Sequence, residues 1–357
     1  MFESIYLIFF GIVGLTPIKL DQPQSSLKLF KYSQSRIGYF YLIFLIILTF
    51  GLSVLFFMHL KSENIVAENP LTLKLRISMR VARTLTIFVI WLNCCFKSSQ
   101  IVDTANSYVR MNTEAVKIYD DISKSKFKTK HIIFYILIVA HLILLVLSIT
   151  TSYLCNGIFD IRILTNVFDF VISLHIFQYA TILAVIKTKF ESMRLKLAEL
   201  AEVYNALQAY VIVEKDKYLK ILLQVKTIRH NHAALADICD SISEIFGISV
   251  LFSLAYVFGT TVHYSYFVIS QNFVHPNRKS IVYTIDTVIP LVRFIVSITA
   301  FCVLANDVGT QLELFAYGVL RRKISFEACS IFCVDCELLS SIFSVTATYL
   351  ILLIQSN

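Results

Sequence analysis

Apolar residues gather into seven runs along this chain, at about 37–59, 75–97, 131–155, 161–186, 243–270, 280–306 and 338–356. Each approaches or exceeds the roughly 20 residues a helix needs to cross a ~30 Å hydrocarbon core. The second is the least apolar, because Arg76, Arg80 and Arg83 sit in its first half. Three connections between the runs are short and three are long, at 97–130, 187–242 and 307–337. The long ones carry helical seams. In the first, Tyr108, Met111, Ala115, Ile118 and Ile122 recur at alternating spacings of three and four, which predicts an amphipathic helix. In the second, Phe190, Met193, Leu197, Leu200, Tyr204, Leu207 and Val211 do the same up to an EKDK turn at 214–217. A second seam then runs through Tyr218, Ile221, Val225, Ile228, His232, Leu235 and Cys239 into the fifth run. Two long helices are therefore expected outside the membrane, each with a face that needs a partner. That partner is either the sister helix, in a self-contained hairpin, or other subunits and neighbouring helix extensions. The latter fits better, since 307–337 adds Val308, Leu312, Phe315 and Val319 on another face. The N-terminal run Ile5 to Leu15 is too short to span and lacks a basic leader and a small-residue cleavage site; it is expected to be an interfacial or packed helix.

Composition agrees with the pattern. The chain is 57% apolar and only 16% charged, against about a quarter charged in soluble domains. It is expected to be an all-α membrane protein. Where the basic residues lie sets the expected orientation. Twenty-three Lys and Arg flank the runs on one side and five on the other, so the N-terminus is expected in the cytoplasm and, after seven spans, the C-terminus outside. That is opposite to the G-protein-coupled receptors. The basic residues then mark topology and contact with anionic lipid, and nothing in their arrangement points to nucleic acid.

Ionisable side chains inside a span cost about 2.5–3.5 kcal/mol each on insertion scales, so each needs a reason. Arg83, Asp169, Asp286 and Arg293 are expected in the outer half or middle of the bundle, with Asp286 and Arg293 on one face either side of Pro290. Two readings are open: ion pairing that fixes helix packing, or an outward-open pocket for a small molecule. His141 and His175 read as hydrogen-bonded packing residues. Cys329, Cys333 and Cys336 share one helical face with no fourth ligand nearby, and read as small hydrophobes in a helix, with no metal. In Arg229-His230-Asn231-His232 the two histidines are two apart and share no helical face, so no metal or nuclease element is expected. No phosphate loop, zinc-protease motif or catalytic grouping appears, no cofactor is implied, and no enzymatic role is expected.

The last run carries the most specific signal. Ser344, Thr348, Ile351 and Gln355 lie on one helical face, and three of the four are polar, a poor surface to offer lipid. One polar stripe cannot enclose a pore, but four copies around an axis could, with Ile351 as a dewetting ring and Gln355 at the outer mouth. Thr348-Tyr349, five apolar residues and Gln355 resemble the closing signature of the insect gustatory receptor family. The resemblance extends to the layout of the whole chain. It implies a multi-pass plasma-membrane protein of sensory neurons, a tetramer of identical or related subunits, and a ligand-gated non-selective cation channel opened by a small-molecule tastant. It also implies three regions: a ligand-sensing bundle over 1–306 with cytoplasmic extensions at 97–130 and 187–242, an anchor helix at 307–337, and a pore-lining helix at 338–357. The ligand pocket is expected on the extracellular side, near Arg83, Asp169, Asp286 and Arg293. Two positions depart from the family pattern. Leu350 stands where sugar-detecting members have an acidic residue, which leans towards bitter or aversive ligands; Ser356 stands where many have Phe, which moves the expected gate to Ile354 or Ile351. A seven-helix receptor signalling without a channel, and a transporter, are the alternatives. The absence of an inverted repeat counts against the transporter.

Overall fold

The computed structural model describes residues 10–11, 13–21, 31–62, 70–156, 161–208, 215–274, 279–318, 327–328, 332–333 and 336–355. Among the described residues seven long helices carry the fold: α1 (Arg36–Ser62), α2 (Pro70–Phe96), α3 (Ser98–Asn156), α4 (Ile161–Gln208), α5 (Lys215–Val274), α6 (Lys279–Gly318) and α7 (Cys336–Gln355). Two antiparallel strand pairs accompany them: β1 (Ile18–Asp21) with β2 (Lys31–Gln34), and β3 (Glu327–Ala328) with β4 (Phe332–Cys333). Pro70 starts α2 where its missing N–H costs nothing. α3 and α4 contain neither Gly nor Pro, so nothing stops them at the membrane boundary, and they reach 59 and 48 residues. α5 reaches 60 residues. At 1.5 Å per residue these are helices of roughly 70–90 Å, two to three times the hydrocarbon thickness, so each extends well beyond it. Five helices hold described stretches long and apolar enough to cross a membrane; α3 and α7 hold shorter ones, Ile138–Thr151 and Ser340–Ile351.

α4 is the central post. It packs against α2, α3, α5 and α6, and every residue from Asp169 to Thr181 is buried, as expected of a helix surrounded on all sides. α1 is the opposite case. It rests on α2 and leaves Ile37, Phe40, Phe44, Ile47 and Phe50 largely exposed, a surface suited to lipid. α7 lies at the edge of the bundle against α5 and α6.

The N-terminal segment is packed, as its apolar run suggested, although residues 1–9 and Ile12 lie outside the described residues. Phe10 and Leu15 are buried, and the Leu15 carbonyl accepts from Gln178 Nε2 at 3.3 Å. Between them Gly14 has φ +78°, and a Cβ there would meet Leu45 Cδ1 at 2.6 Å. The β1–β2 hairpin follows and is pinned to α3 by one side chain: Asn106 Oδ1 accepts from the Tyr32 N–H at 2.8 Å while Asn106 Nδ2 donates to the Tyr32 carbonyl at 3.0 Å.

Two sequence expectations change. The seams of α4 and α5 find each other inside the chain: Phe190 meets His232 with ring centroids 5.2 Å apart, and Tyr204 meets Tyr218 at 6.3 Å. Met193, Leu200, Ile228, Leu235 and Cys239 are buried in that contact region. These seams, expected to meet other subunits or neighbouring helix extensions, meet each other within the chain as a hairpin, because only six residues join α4 to α5 and two complementary faces come together at little entropic cost. What remains outward is a different face, with Leu219, Leu222 and Leu223 more than half exposed. Val308 is buried, whereas Leu312, Phe315 and Val319 lie outside the described side chains. In the first seam Met111 is buried and Tyr108 half-buried, and Ala115, Ile118 and Ile122 lie outside them too. Second, the cysteine run is not one helical face. Cys333 is in β4, paired with Glu327, and Cys336 opens α7; Cys329 lies outside the described residues. The Ile331-Phe332-Cys333-Val334 stretch favours extended backbone, and this local preference outweighs the helical spacing of the cysteines.

Candidate functional site

Among the described residues, the bundle buries two guanidinium groups and one carboxylate. Asp169 on α4 is fully buried and accepts from four directions. Arg83 on α2 donates through Nε to Oδ1 at 2.6 Å and through Nη2 to Oδ2 at 3.3 Å. Tyr256 on α5 donates to Oδ1 at 2.6 Å, and Tyr264, two turns along, donates to Oδ2 at 3.1 Å. Arg83 Nε also donates to the Tyr256 hydroxyl at 2.8 Å, and its guanidinium lies 5.8 Å from that ring. A carboxylate offers about four acceptor sites, so Asp169 is saturated by its protein neighbours. This satisfies the condition under which a desolvated ion pair is tolerated.

Arg293 on α6 has no such arrangement. It is fully buried, its guanidinium carbon lies 5.9 Å from the Phe294 ring, and Nε, Nη1 and Nη2 find no hydrogen-bond partner among the described residues. Phe294 in turn packs edge-on against Tyr256 at 5.8 Å, which links the unpartnered guanidinium to the Asp169 cluster. Among the described side chains the cluster therefore holds one more positive charge than negative, with five N–H donors of Arg293 unused. Asp286, the fourth expected member, lies in α6 outside the described side chains.

Beneath this cluster two further polar tiers cross the bundle. His141 Nε2 lies 2.9 Å from Ser297 Oγ, and Ser173 Oγ lies 2.7 Å from the same hydroxyl. His175 Nε2 lies 2.9 Å from Ser249 Oγ, and Asn93 Nδ2 donates to the Ile245 carbonyl at 2.7 Å. Both histidines are also stacked, on Phe177 at 5.4 Å and Phe246 at 5.8 Å. They are hydrogen-bonded packing residues, as their isolation in the sequence suggested.

α7 presents the other half of the expected site. Its inward seam is narrow: Thr346 is buried and Ile342 and Leu350 half-buried, four residues apart each time. Ser344, Thr348, Ile351 and Gln355 are all exposed, on a face turned away from the chain's own bundle. Thr348 Oγ1 donates back to the Ser344 carbonyl at 3.1 Å, which satisfies that hydroxyl within the helix. Tyr349 is half exposed and touches Phe258 edge-on at 6.3 Å. Ile354 lies outside the described side chains. The structure thus brings Arg83 and Asp169 into contact, sets Arg293 beside them through Phe294 and Tyr256, and keeps the α7 positions on a separate surface.

Sequence reasoning missed Tyr256 and Tyr264, which complete the carboxylate. A signal was present, since residues eight apart share a helical face. Nothing in either residue alone separates it from the chain's 18 tyrosines.

Comparison with known proteins places the chain. The family model of the 7tm chemosensory receptors matches residues 3–312 and 306–357, nearly the whole length. No curated protein matches the sequence. Among solved structures, the insect olfactory receptor OR5 from Machilis hrabei is similar over 99% of this chain and 98% of that one, with 12% identity and a TM-score of 0.58. The same receptor in complex with eugenol gives a TM-score of 0.62 at the same identity and coverage. At this identity the likeness is one of fold, and it agrees with the seven-helix architecture described above.

Proposed function

The chain belongs to the 7tm chemosensory receptor family, and from that membership we propose that it is a gustatory receptor acting as a ligand-gated, non-selective cation channel. The observation that carries the reading is on α7. A helix that touches its own bundle along Ile342, Thr346 and Leu350 leaves a wide face to be covered by something else, and that face bears Ser344, Thr348 and Gln355. Lipid is a poor cover for three polar side chains. Water is a good one, and four copies about a common axis supply it: the polar stripes face one another around a conduit, Ile351 and Ile354 form its apolar constriction, and neutral Gln355 hydrates cations without choosing among them. The subunits are identical or related chains, in the plasma membrane of sensory neurons, with the C-terminus outside and the 97–130, 187–242 and 307–337 regions on the cytoplasmic side.

The ligand pocket of this reading lies around Arg83, Asp169, Asp286 and Arg293. Asp169 has no acceptor capacity left for a ligand, whereas Arg293 has donors to offer, so the tastant is a small molecule whose carbonyl, hydroxyl or carboxylate oxygen reaches that guanidinium. Leu350 supports a bitter or aversive ligand over a sugar. Eugenol, a small phenol ether, is the ligand of the structurally similar olfactory receptor. A ligand that binds the open form more tightly shifts the closed-to-open equilibrium by that difference in affinity. The test is whole-cell current from cells expressing the chain, alone and with related subunits, under a panel of bitter compounds and sugars with G-protein signalling blocked. A ligand-evoked cation current supports the channel; a response that the block abolishes contradicts it.

A further inference from the structure

Far along α5 from Tyr256, roughly 35–40 Å at 1.5 Å per residue, α3 and α5 part around a cavity of about 380 Å³. Its floor is apolar, made by Met111 and Ile238, both buried, with Ala234 half-buried beside them. Its rim is polar and exposed: Asp103 and Arg110 on α3 face His230 and Asp237 on α5. One polar side chain lies at floor level. Asn231 is fully buried, lines the cavity, and neither its Oδ1 nor its Nδ2 has a hydrogen-bond partner among the described residues.

A buried amide missing both its donor and its acceptor partner is costly, and native interiors rarely keep one without a reason. The neighbouring Asn106, on the same stretch of α3, shows what completes such a group. Its two amide atoms close on the N–H and carbonyl of Tyr32, a donor beside an acceptor on one edge. We propose that the α3–α5 cavity is a second small-molecule site, distinct from the Asp169 cluster, which takes a flat, uncharged solute through an amide-like edge paired to Asn231. The rim decides the charge. Two carboxylates against one guanidinium and an imidazole give no net attraction for a multiply charged anion, so polyphosphates are disfavoured. The volume suits a single ring system and lies within the range of ligand sites. An amide-like edge is found both on an aromatic carboxamide and on a purine, whose N6 and N7 pair with asparagine in this way.

The two sources are separated with two probes, nicotinamide and adenosine, each titrated up to about 10 mM against the purified full chain while its thermal midpoint is followed. One probe is expected to raise the midpoint in a saturable manner. Asn231→Leu is expected to remove that shift, or to weaken the probe at least tenfold, while its own midpoint without probe stays at or above that of the parent, since it removes two unsatisfied buried atoms. Ser107→Trp, an exposed rim change that fills the mouth, is expected to remove the shift too. A shift from nicotinamide alone assigns the carboxamide class, and one from adenosine alone the purine class. No shift from either probe, or a shift that survives both substitutions, overturns the proposal and leaves Asn231 as a hydrated structural residue.

Discussion

Asp169 is held by four donors from three side chains while the Arg293 guanidinium has no hydrogen-bond partner among the described residues, and the two residues should respond to mutation in opposite directions. Asp169→Ala strands the Arg83 guanidinium and is expected to cost about 3–5 kcal/mol of stability, read as a large fall in thermal midpoint. Tyr264→Phe removes one hydrogen bond and should cost nearer 1 kcal/mol. Arg293→Met removes unsatisfied donors, so the thermal midpoint is expected to rise while the dose–response curve of any activating ligand moves at least tenfold to higher concentration. A fall in midpoint with Arg293→Met would show that the guanidinium supports the fold. At this scale the sequence told much. Ionisable residues in apolar runs stand out because insertion penalises them, so Arg83, Asp169 and Arg293 were legible as a group. The tyrosines were not, because a tyrosine in a membrane helix carries no penalty that marks it. Asn231 was overlooked for a related reason: attention to its flanking histidines hid a buried amide that has no hydrogen-bond partner among the described residues.

At the scale of the helix, periodicity told which face is apolar but not what that face meets. The Met193 to Leu235 seams illustrate the gap, since spacing alone fits a hairpin and an intersubunit contact equally, and the ring contacts of Phe190 with His232 and Tyr204 with Tyr218 decide for the hairpin. Leu235→Ala is accordingly expected to cost about 2–5 kcal/mol through a cavity inside one subunit, with no dependence on receptor concentration. Leu222→Ala, on the exposed outer face, should leave subunit stability within about 0.5 kcal/mol. The cysteine run near Cys333 was misjudged because its two spacings, of four and three, matched a helix while the residues between them favoured a strand. Thr348 and Ser344 behave differently. Their polarity on an apolar helix was visible in the sequence, and the structure adds that they face away from their own bundle.

For the molecule as a whole, the seven-helix layout was legible because a hydrocarbon core imposes a length on every run that crosses it. The depth to which α3, α4 and α5 extend beyond it was legible from the absence of Gly and Pro in α3 and α4 and from the seams themselves. What one chain leaves unfinished is α7, whose stripe of Ser344, Thr348, Ile351 and Gln355 is exposed among the described residues. The central claim is that this stripe lines a cation pathway shared between subunits. The direct measurement is ligand-evoked current in cells expressing either the parent chain or Gln355→Ala, at equal surface expression and with related subunits supplied. The account predicts a cation current in the parent whose relative permeability or block changes in Gln355→Ala. An evoked current with identical permeability and block in both would place Gln355 outside the pathway and contradict the claim.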